Sequence, residues 1–273
     1  MNAESRETEH AALLELCAET ARLAGQRVLA WRRERRQLAA DVVGTKSSPT
    51  DMVTEADRLA EDLIRQRLMS ARPQASWLGE ETGRSEGTDG ADGLQWVVDP
   101  IDGTTNFMYD LPGWSVSIAA QVAGRPVAAA VHVPITAETF AGVADTGAWV
   151  YDRSGRRRLR VSHQTDLSQA LIATGFGYDE DLRTEQGAIV GRLVGCVRDI
   201  RRAGAASVDL CAVAAGRVDG YFERGLQEWD LAAGSLIAAE AGAQVLLRPS
   251  GTTVAVGPGL VDALSGLLDH LGD

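Results

Sequence analysis

The stretch Trp96-Val97-Val98-Asp99-Pro100-Ile101-Asp102-Gly103-Thr104-Thr105-Asn106-Phe107 limits what this chain can become more than any other. Trp96 to Val98 favour a buried strand, Pro100 cannot continue a sheet ladder, and Gly103 frees the backbone for close approach to another group. Asp99 and Asp102 are therefore delivered to one tight turn at a strand end. Two carboxylates held that close repel unless one is protonated or a cation lies between them, and hard oxygen ligands suit magnesium or calcium. Asp-Pro and Asp-Gly are also ordinary turn formers, so the stretch alone reads equally as a plain turn or as part of a metal site.

Other acids break that tie. An apolar strand running into glycine and acids recurs at Ala75-Ser76-Trp77-Leu78-Gly79-Glu80-Glu81. Asp57 stands near the start of a helix expected through about Met69, with Leu59, Leu63, Ile64 and Leu68 on its apolar face and Asp51 or Thr54 as its cap. Asp230, in Glu228-Trp229-Asp230-Leu231-Ala232-Ala233-Gly234, again stands where a helix begins. Each acid alone is a cap or a solvated side chain, but acids at separate strand ends and helix starts of an apolar scaffold suit a multi-metal site better than coincidence. Two magnesium ions would neutralise them, bind a phosphate, polarise its oxygens and activate water. Gly103 and Thr104 add amides and a hydroxyl at an expected helix start, a cradle for phosphate.

The remaining chain supplies the scaffold. From about Glu7 to Gln37, Leu13, Leu16, Cys17, Thr20, Leu23, Ala24, Val28 and Trp31 recur at helical steps. That helix ends in Arg32, Arg33, Arg35 and Arg36, which read as a solvated terminus favoured by the helix dipole, with an anion patch as the alternative. Glycine-rich Thr82 to Gly93 predicts a mobile surface loop. Trp114 to Tyr151 predicts an antiparallel meander, followed by Arg156, Arg157 and Arg158 on an exposed hairpin turn. The last third alternates: strands at Ala170 to Thr174, Cys196 to Ile200, Val218 to Phe222, Gln244 to Leu247 and Thr253 to Val256, helices at Asp181 to Val194, Ala206 to Ala215, Trp229 to Ala241 and Leu260 to Leu271. No linker or repeat divides the 273 residues, so the expectation is one α+β unit, 1–273, divisible at most into subdomains 1–155 and 156–273 packed edge to edge.

Composition bounds the partners. No apolar run approaches a membrane span, and the polar, acidic N-terminus lacks the features of a signal peptide, so a cytoplasmic protein is expected. Cys17, Cys196 and Cys211 are odd in number and show no metal spacing, which favours buried reduced thiols over disulfides or zinc ligands. A formal charge of −11 repels nucleic acid and anionic membranes, and neither is an expected partner. It does not repel an anionic substrate that arrives through bound cations.

Asp99 to Phe107 and Trp229 to Gly234 resemble the two signatures of the inositol monophosphatase family. Lys46, Asp51 to Asp57, Gly79-Glu80-Glu81 and Glu223 continue the match in order and spacing, so the resemblance covers nearly the whole chain. It implies a layered αβαβα sandwich of the inositol monophosphatase / fructose-1,6-bisphosphatase type, usually a homodimer, hydrolysing small phosphate monoesters with two or three Mg2+ ions and sensitive to lithium. By position, Glu80, Asp99 and the Ile101 carbonyl would hold a first metal, Asp99, Asp102 and Asp230 a second, and Glu80 with Asp57 a weaker third. Thr104, with Asp57 and Glu80, would orient or deprotonate the attacking water. Asp102, Gly103, Thr104, Ala206, Glu223 and Asp230 would meet the substrate.

The Thr105-Asn106-Phe107 continuation favours a polyol such as myo-inositol 1-phosphate, because relatives acting on nucleotide 3′-phosphates or histidinol phosphate often carry lysine or arginine at the position of Thr105. In Arg202-Ala203-Gly204-Ala205-Ala206-Ser207, Ala205 stands where the family commonly has serine or threonine, which displaces a hydroxyl to Ser207. Fructose 1,6-bisphosphate, histidinol phosphate or another sugar phosphate are the alternative substrates. Binding the transcription machinery, as some relatives do, is the alternative of another class.

Overall fold

A computed structural model describes residues 3–41, 49–88 and 93–273, with side chains for all of these except 3–4, 36–41 and 49–54. Two helices come first, α1 (Ala3–Asp41) and α2 (Pro49–Ala71). An eight-stranded sheet follows, made of β1 (Ser76–Gly79), β2 (Gly83–Ser85), β3 (Leu94–Asp102), β4 (Ser115–Val122), β5 (Arg125–Val133), β6 (Glu138–Val143), β7 (Gly147–Asp152) and β8 (Gly155–Arg158), with the short helix α3 (Thr104–Met108) between β3 and β4. Its order is β2-β1-β3-β4-β5-β6-β7-β8, and only the β1–β3 pair is parallel. The second half contains β9 (Leu171–Thr174), α4 (Glu180–Leu193), β10 (Asp199–Arg201), α5 (Ala206–Ala214), β11 (Gly220–Arg224), α6 (Glu228–Glu240), β12 (Gln244–Leu247), β13 (Thr252–Val256) and α7 (Val261–Leu271). Its sheet has the order β10-β9-β11-β13-β12.

Alternate side chains of the central strands feed two different cores. Trp96, Val98, Ile118 and Ala120 pack with Leu13, Cys17, Ile64 and Leu68 of α1 and α2, while Val97, Ala119, Ala129 and Val131 face Leu210 and Ile237 of α5 and α6. A strand covered on both faces reads as an unbroken apolar run, which is why β3 has no alternation to detect. Helices α5 and α6 also bear on the second sheet, through Tyr221 and Ala255. That sheet's far face carries α4 and α7, packed through Ile172, Phe222, Val254, Leu193, Leu264 and Leu268. The layers are therefore helix, sheet, helix, sheet, helix, as expected. The two sheets meet through the shared α5–α6 layer rather than along an edge.

That middle layer requires close approach. Gly234 of α6 packs on α5, where an added Cβ would lie 2.8 Å from Leu210 Cβ. Alanine-rich α6 is buried along Ala232, Ala233, Leu236, Ile237 and Ala238.

Several local expectations change. Helix α2 begins at Pro49, a residue suited to a first helical turn, so Asp51 and Thr54 lie inside the helix rather than capping it. Part of the expected loop after Thr82 is strand β2, paired antiparallel with β1. Arg156 to Arg158 lie on β8, not in the turn. Strand β10 starts at Asp199, leaving Cys196 exposed while Cys17 and Cys211 are buried, and all three thiols are free. Lys46 falls outside the described residues. No helix among the described residues is long and apolar enough to cross a membrane.

Ile237 is fully buried and Leu247 is 74% exposed. Ile237→Ala should therefore lower unfolding free energy by about 2–5 kcal/mol in urea denaturation, and Leu247→Ala by less than about 0.5 kcal/mol. Equal effects would contradict the placement of the middle layer.

Candidate active site

Strand β3 does not end in a tight turn. It pairs with β4 as far as Asp99–Ser117, breaks register across Pro100 and Ile101, and resumes at Asp102–Ser115. Pro100 has no N–H to give the ladder, and the resulting irregularity aims the side chains of Asp99 and Asp102 into one cleft. Ile101 turns the other way, into a small core with Val28, Trp31, Ala56, Ala60, Phe107 and Trp114. Gly103 then takes φ 89°, ψ 41°, a left-handed conformation, and an added Cβ there would sit 3.0 Å from both Ala205 Cβ and the Gly113 carbonyl oxygen.

Asp230, in the first turn of α6, completes the cluster: one oxygen each from Asp99, Asp102 and Asp230 lie within 4.8 Å of one another. Its other duty is local, since Gln227 N–H donates to Asp230 Oδ2 at 2.6 Å in a capping box. Glu80, at the end of β1, hydrogen-bonds Asp99 and keeps an exposed edge on the cleft. Asp57 lies buried behind it, on α2.

Burial is the first cause of every pKa displacement here. It raises Asp57 to about 8, with Glu80, Glu81 and Glu61 adding repulsion. Glu80 rises to about 7, although its hydrogen bond with Asp99 opposes the shift. Asp230 rises to about 7 through burial and then the charge of Asp102. Asp99 is pushed well above the carboxylate range by burial and by Asp102, Glu80, Asp230 and Asp57. Asp102 is raised by burial against the opposing bonds from Ser207.

The donor set fits a hard divalent cation. Asp57 Oδ1 and Asp99 Oδ1 are buried without a hydrogen-bond partner, an arrangement costly for a carboxylate unless a cation completes it. Oxygen-only ligands with several carboxylates suit magnesium.

The rest of the cleft, of about 420 Å³, is built by the second half of the chain. Ala206 and Ser207 open α5 beside Asp102. Ser207 donates its N–H (2.7 Å) and its hydroxyl (2.5 Å) to Asp102 Oδ2, and so accepts from Ser115, 2.7 Å away. Glu223 receives the Tyr221 hydroxyl at 2.7 Å and lines the far wall. Thr104 donates to the Ile101 carbonyl at 3.1 Å, so its hydroxyl offers the cleft an acceptor rather than a free proton. Thus Glu80, Asp99, Ile101, Asp102, Gly103, Thr104, Ala206, Glu223 and Asp230 all line one cleft, and Asp57 stands just outside its lining.

Sequence reading passed over several residues that shape the cleft. Asn106 is buried, and its amide donates to the Gly113 carbonyl (2.8 Å) and the Ala203 carbonyl (2.7 Å), tying the β3 end to the loop that carries Ala206. Phe107 packs edge-on to Trp114 with centroids 5.1 Å apart. The Thr105-Asn106-Phe107 tail taken as a substrate clue is thus scaffold at Asn106 and Phe107. Arg32 is no solvated terminus: its guanidinium lies over Phe107 (5.2 Å) and Trp114 (5.8 Å) and pairs with Asp110 at 3.1 Å.

Glu61 accepts the amides of Glu81 (2.9 Å) and Thr82 (3.0 Å), fixing the Glu80 turn. A signal for it existed, because Asp57, Glu61, Ile64 and Leu68 form one four-three-four stripe on α2. Arg202 lines the cleft, and Asp209 is buried near it with its pKa raised to about 8 by burial and then Glu223.

Fold and cleft define a class, a five-layer sandwich whose carboxylate-lined cleft fits hard divalent cations. The chain belongs to the inositol monophosphatase family, whose model matches residues 11–270. Inositol-1-monophosphatase SuhB of Mycobacterium tuberculosis is 47% identical over 236 residues, covering 84% of this chain and 81% of that protein. Nus factor SuhB of Escherichia coli is 40% identical, covering 85% and 88%. The structure of Mycobacterium tuberculosis SuhB aligns with a TM-score of 0.83 at 41% identity, over 96% of this chain and 97% of that one. Family membership supports phosphatase activity.

The raised carboxylates set a pH dependence. Their folded values, about 7 to 8 at Asp57, Glu80 and Asp230, exceed the ordinary 3.8 for aspartate and 4.5 for glutamate. The folded state therefore binds more protons than the unfolded one, and this stability is full below about pH 4 and lost as pH rises through about 7 to 8. Chelator-treated protein should show a Tm that falls from about pH 5 to about pH 8, and added Mg2+ should raise Tm more at the higher pH. A metal-free Tm that rises over this window would contradict the electrostatics.

Proposed function

We propose that this chain is a magnesium-dependent phosphomonoesterase that releases phosphate from myo-inositol 1-phosphate. The observation that carries this reading is the convergence of Asp99, Asp102 and Asp230 oxygens within 4.8 Å in a cleft that also holds Glu80 and Glu223.

On this reading Glu80, Asp99 and the Ile101 carbonyl hold one ion, Asp99, Asp102 and Asp230 a second, and Glu80 with Asp57 a weaker third. Bound magnesium supplies charge neutralisation, phosphate polarisation and water activation. Ser207 occupies Asp102 Oδ2 and leaves Oδ1 for coordination. Thr104 accepts a hydrogen bond from the attacking water, and Glu80, backed by Asp57, takes the proton. The water oxygen joins phosphorus, the ester P–O bond breaks opposite it, and the leaving alkoxide is protonated to the free polyol. Gly103 and Ala206 let the ester approach the backbone closely, while Glu223 and Asp102 accept hydrogen bonds from ring hydroxyls. A cytoplasmic homodimer inhibited by lithium belongs to the same reading.

The purified protein should release phosphate from inositol 1-phosphate only with Mg2+. Loss of one metal ligand removes several kcal/mol of charge stabilisation, so Asp99→Asn and Asp230→Asn should each lower kcat by at least ~100-fold. Metal-independent turnover, or normal turnover in both variants, would refute the mechanism. A kcat/KM panel with fructose 1,6-bisphosphate and histidinol phosphate ranks the alternative substrates.

A second reading, a partner of the transcription machinery, is favoured by the name Nus factor SuhB carried by relatives 40% and 43% identical. Retention of such a partner by Asp99→Asn, beside absent phosphatase activity in the native protein, would place that role first.

A further inference from the structure

The hairpin at the outer edge of the large sheet is built unlike the rest of the chain. Between Asp152 and Arg160, nine residues hold five arginines and one aspartate, in a protein of net charge −11. Arg153, Arg156, Arg157, Arg158 and Arg160 are all exposed, and among the described residues no ion pair joins any of them to an acid. Strand β8 is the last in its sheet, so its outer edge has no partner strand.

The register arranges these charges. Arg158 stands opposite Trp149 and Arg156 opposite Tyr151, so both arginines share a face with both aromatics. Arg156 lies over Trp149 at 4.3 Å and near Tyr151 at 5.9 Å, and Arg158 lies 5.9 Å from the Trp149 ring. Arg157 stands opposite Val150, on the other face. Charge on an edge strand guards against edge-to-edge aggregation. Guarding needs charge alone, whereas here guanidinium planes are laid on aromatic rings with their remaining N–H groups turned outward.

We propose that the β7–β8 edge is a docking strip for single-stranded RNA. Guanidiniums stacked on Trp149 and Tyr151 offer flat cationic faces to unstacked bases, and Arg153, Arg157 and Arg160 reach backbone phosphates. The unpaired carbonyls along β8 accept from 2′-hydroxyls, which DNA lacks. An acidic peptide matches the charge but has no use for the stacked faces, and an anionic membrane would call for exposed apolar residues, whereas Leu159, inside the strip, is buried. Overall negative charge does not veto this contact, because at physiological salt a charge is felt over only about 8 Å. The strip is separate from the carboxylate cleft and does not depend on the phosphatase reading.

Fluorescence anisotropy tests it on the whole protein, with a labelled single-stranded RNA of mixed sequence, the same sequence as DNA, and a poly-glutamate peptide. Binding to RNA is expected at about 50 mM salt, weaker for DNA and weakest for poly-glutamate. Arg156→Ala/Arg157→Ala/Arg158→Ala should weaken RNA binding at least ~10-fold and reduce the log–log salt slope by about 2, at about 0.7 per phosphate contact. The triple lysine variant keeps charge and should retain the slope while losing affinity, and it answers the question if the alanine variant does not fold. Phosphate release should be unchanged in both. No RNA binding at about 50 mM salt, equal binding of RNA and poly-glutamate, or wild-type affinity in the alanine variant would overturn the proposal.

Discussion

Asp99, Asp102 and Asp230 place oxygens within 4.8 Å of one another where burial has removed most of the water that would screen them, and Asp57 and Glu80 crowd the same region. Without a cation, such a group relieves its repulsion by holding protons, which is the common sense of every displacement in the cleft. With divalent cations the same crowding becomes a preorganised binding site, because the cost of assembling the charges has been met by the fold. The surrounding structure can be understood as what is needed to hold mutually repelling groups together.

Three devices hold them. The register break in β3 aims Asp99 and Asp102 together while Ile101 anchors the backbone in a core shared with α1, α2 and Trp114. Hydrogen bonds from Ser115 through Ser207 fix one oxygen of Asp102, and the Asn106 amide binds a carbonyl in each of two loops that meet over Gly103. Glu61 collects the amides after Glu80, so an acid outside the cleft fixes the position of an acid inside it. The close-packed α5–α6 layer brings Asp230 and Ser207, from the second half of the chain, to the acids of the first half.

The legible parts were those encoded locally or by residue chemistry. Apolar runs revealed β3 and the meander, alternation revealed the last third, and acids at element ends identified the cleft residues. What escaped depended on tertiary partners. The break between Asp99 and Asp102 exists only against β4, and three-residue β2 is a strand only because β1 lies beside it. Arg32 looked solvated because neither its partner aromatics nor Asp110 adjoin it in sequence. Asn106 lay inside a recognised motif, yet its partners, Gly113 and Ala203, are 7 and 97 residues away. Asp57 and Glu61 were discounted as first-turn acids because α2 was expected to start later than Pro49, and a later start moves the buried stripe off them.

The central claim is that the crowded carboxylates exist to share divalent cations. Crystals grown with manganese in place of magnesium, measured at an energy where manganese scatters anomalously, test it most directly. The account predicts an anomalous peak bounded by Asp99, Asp102 and Asp230, lost in crystals of Asp230→Asn grown the same way. A manganese-saturated crystal with no peak among these three residues, or with the peak unchanged in the variant, would contradict it.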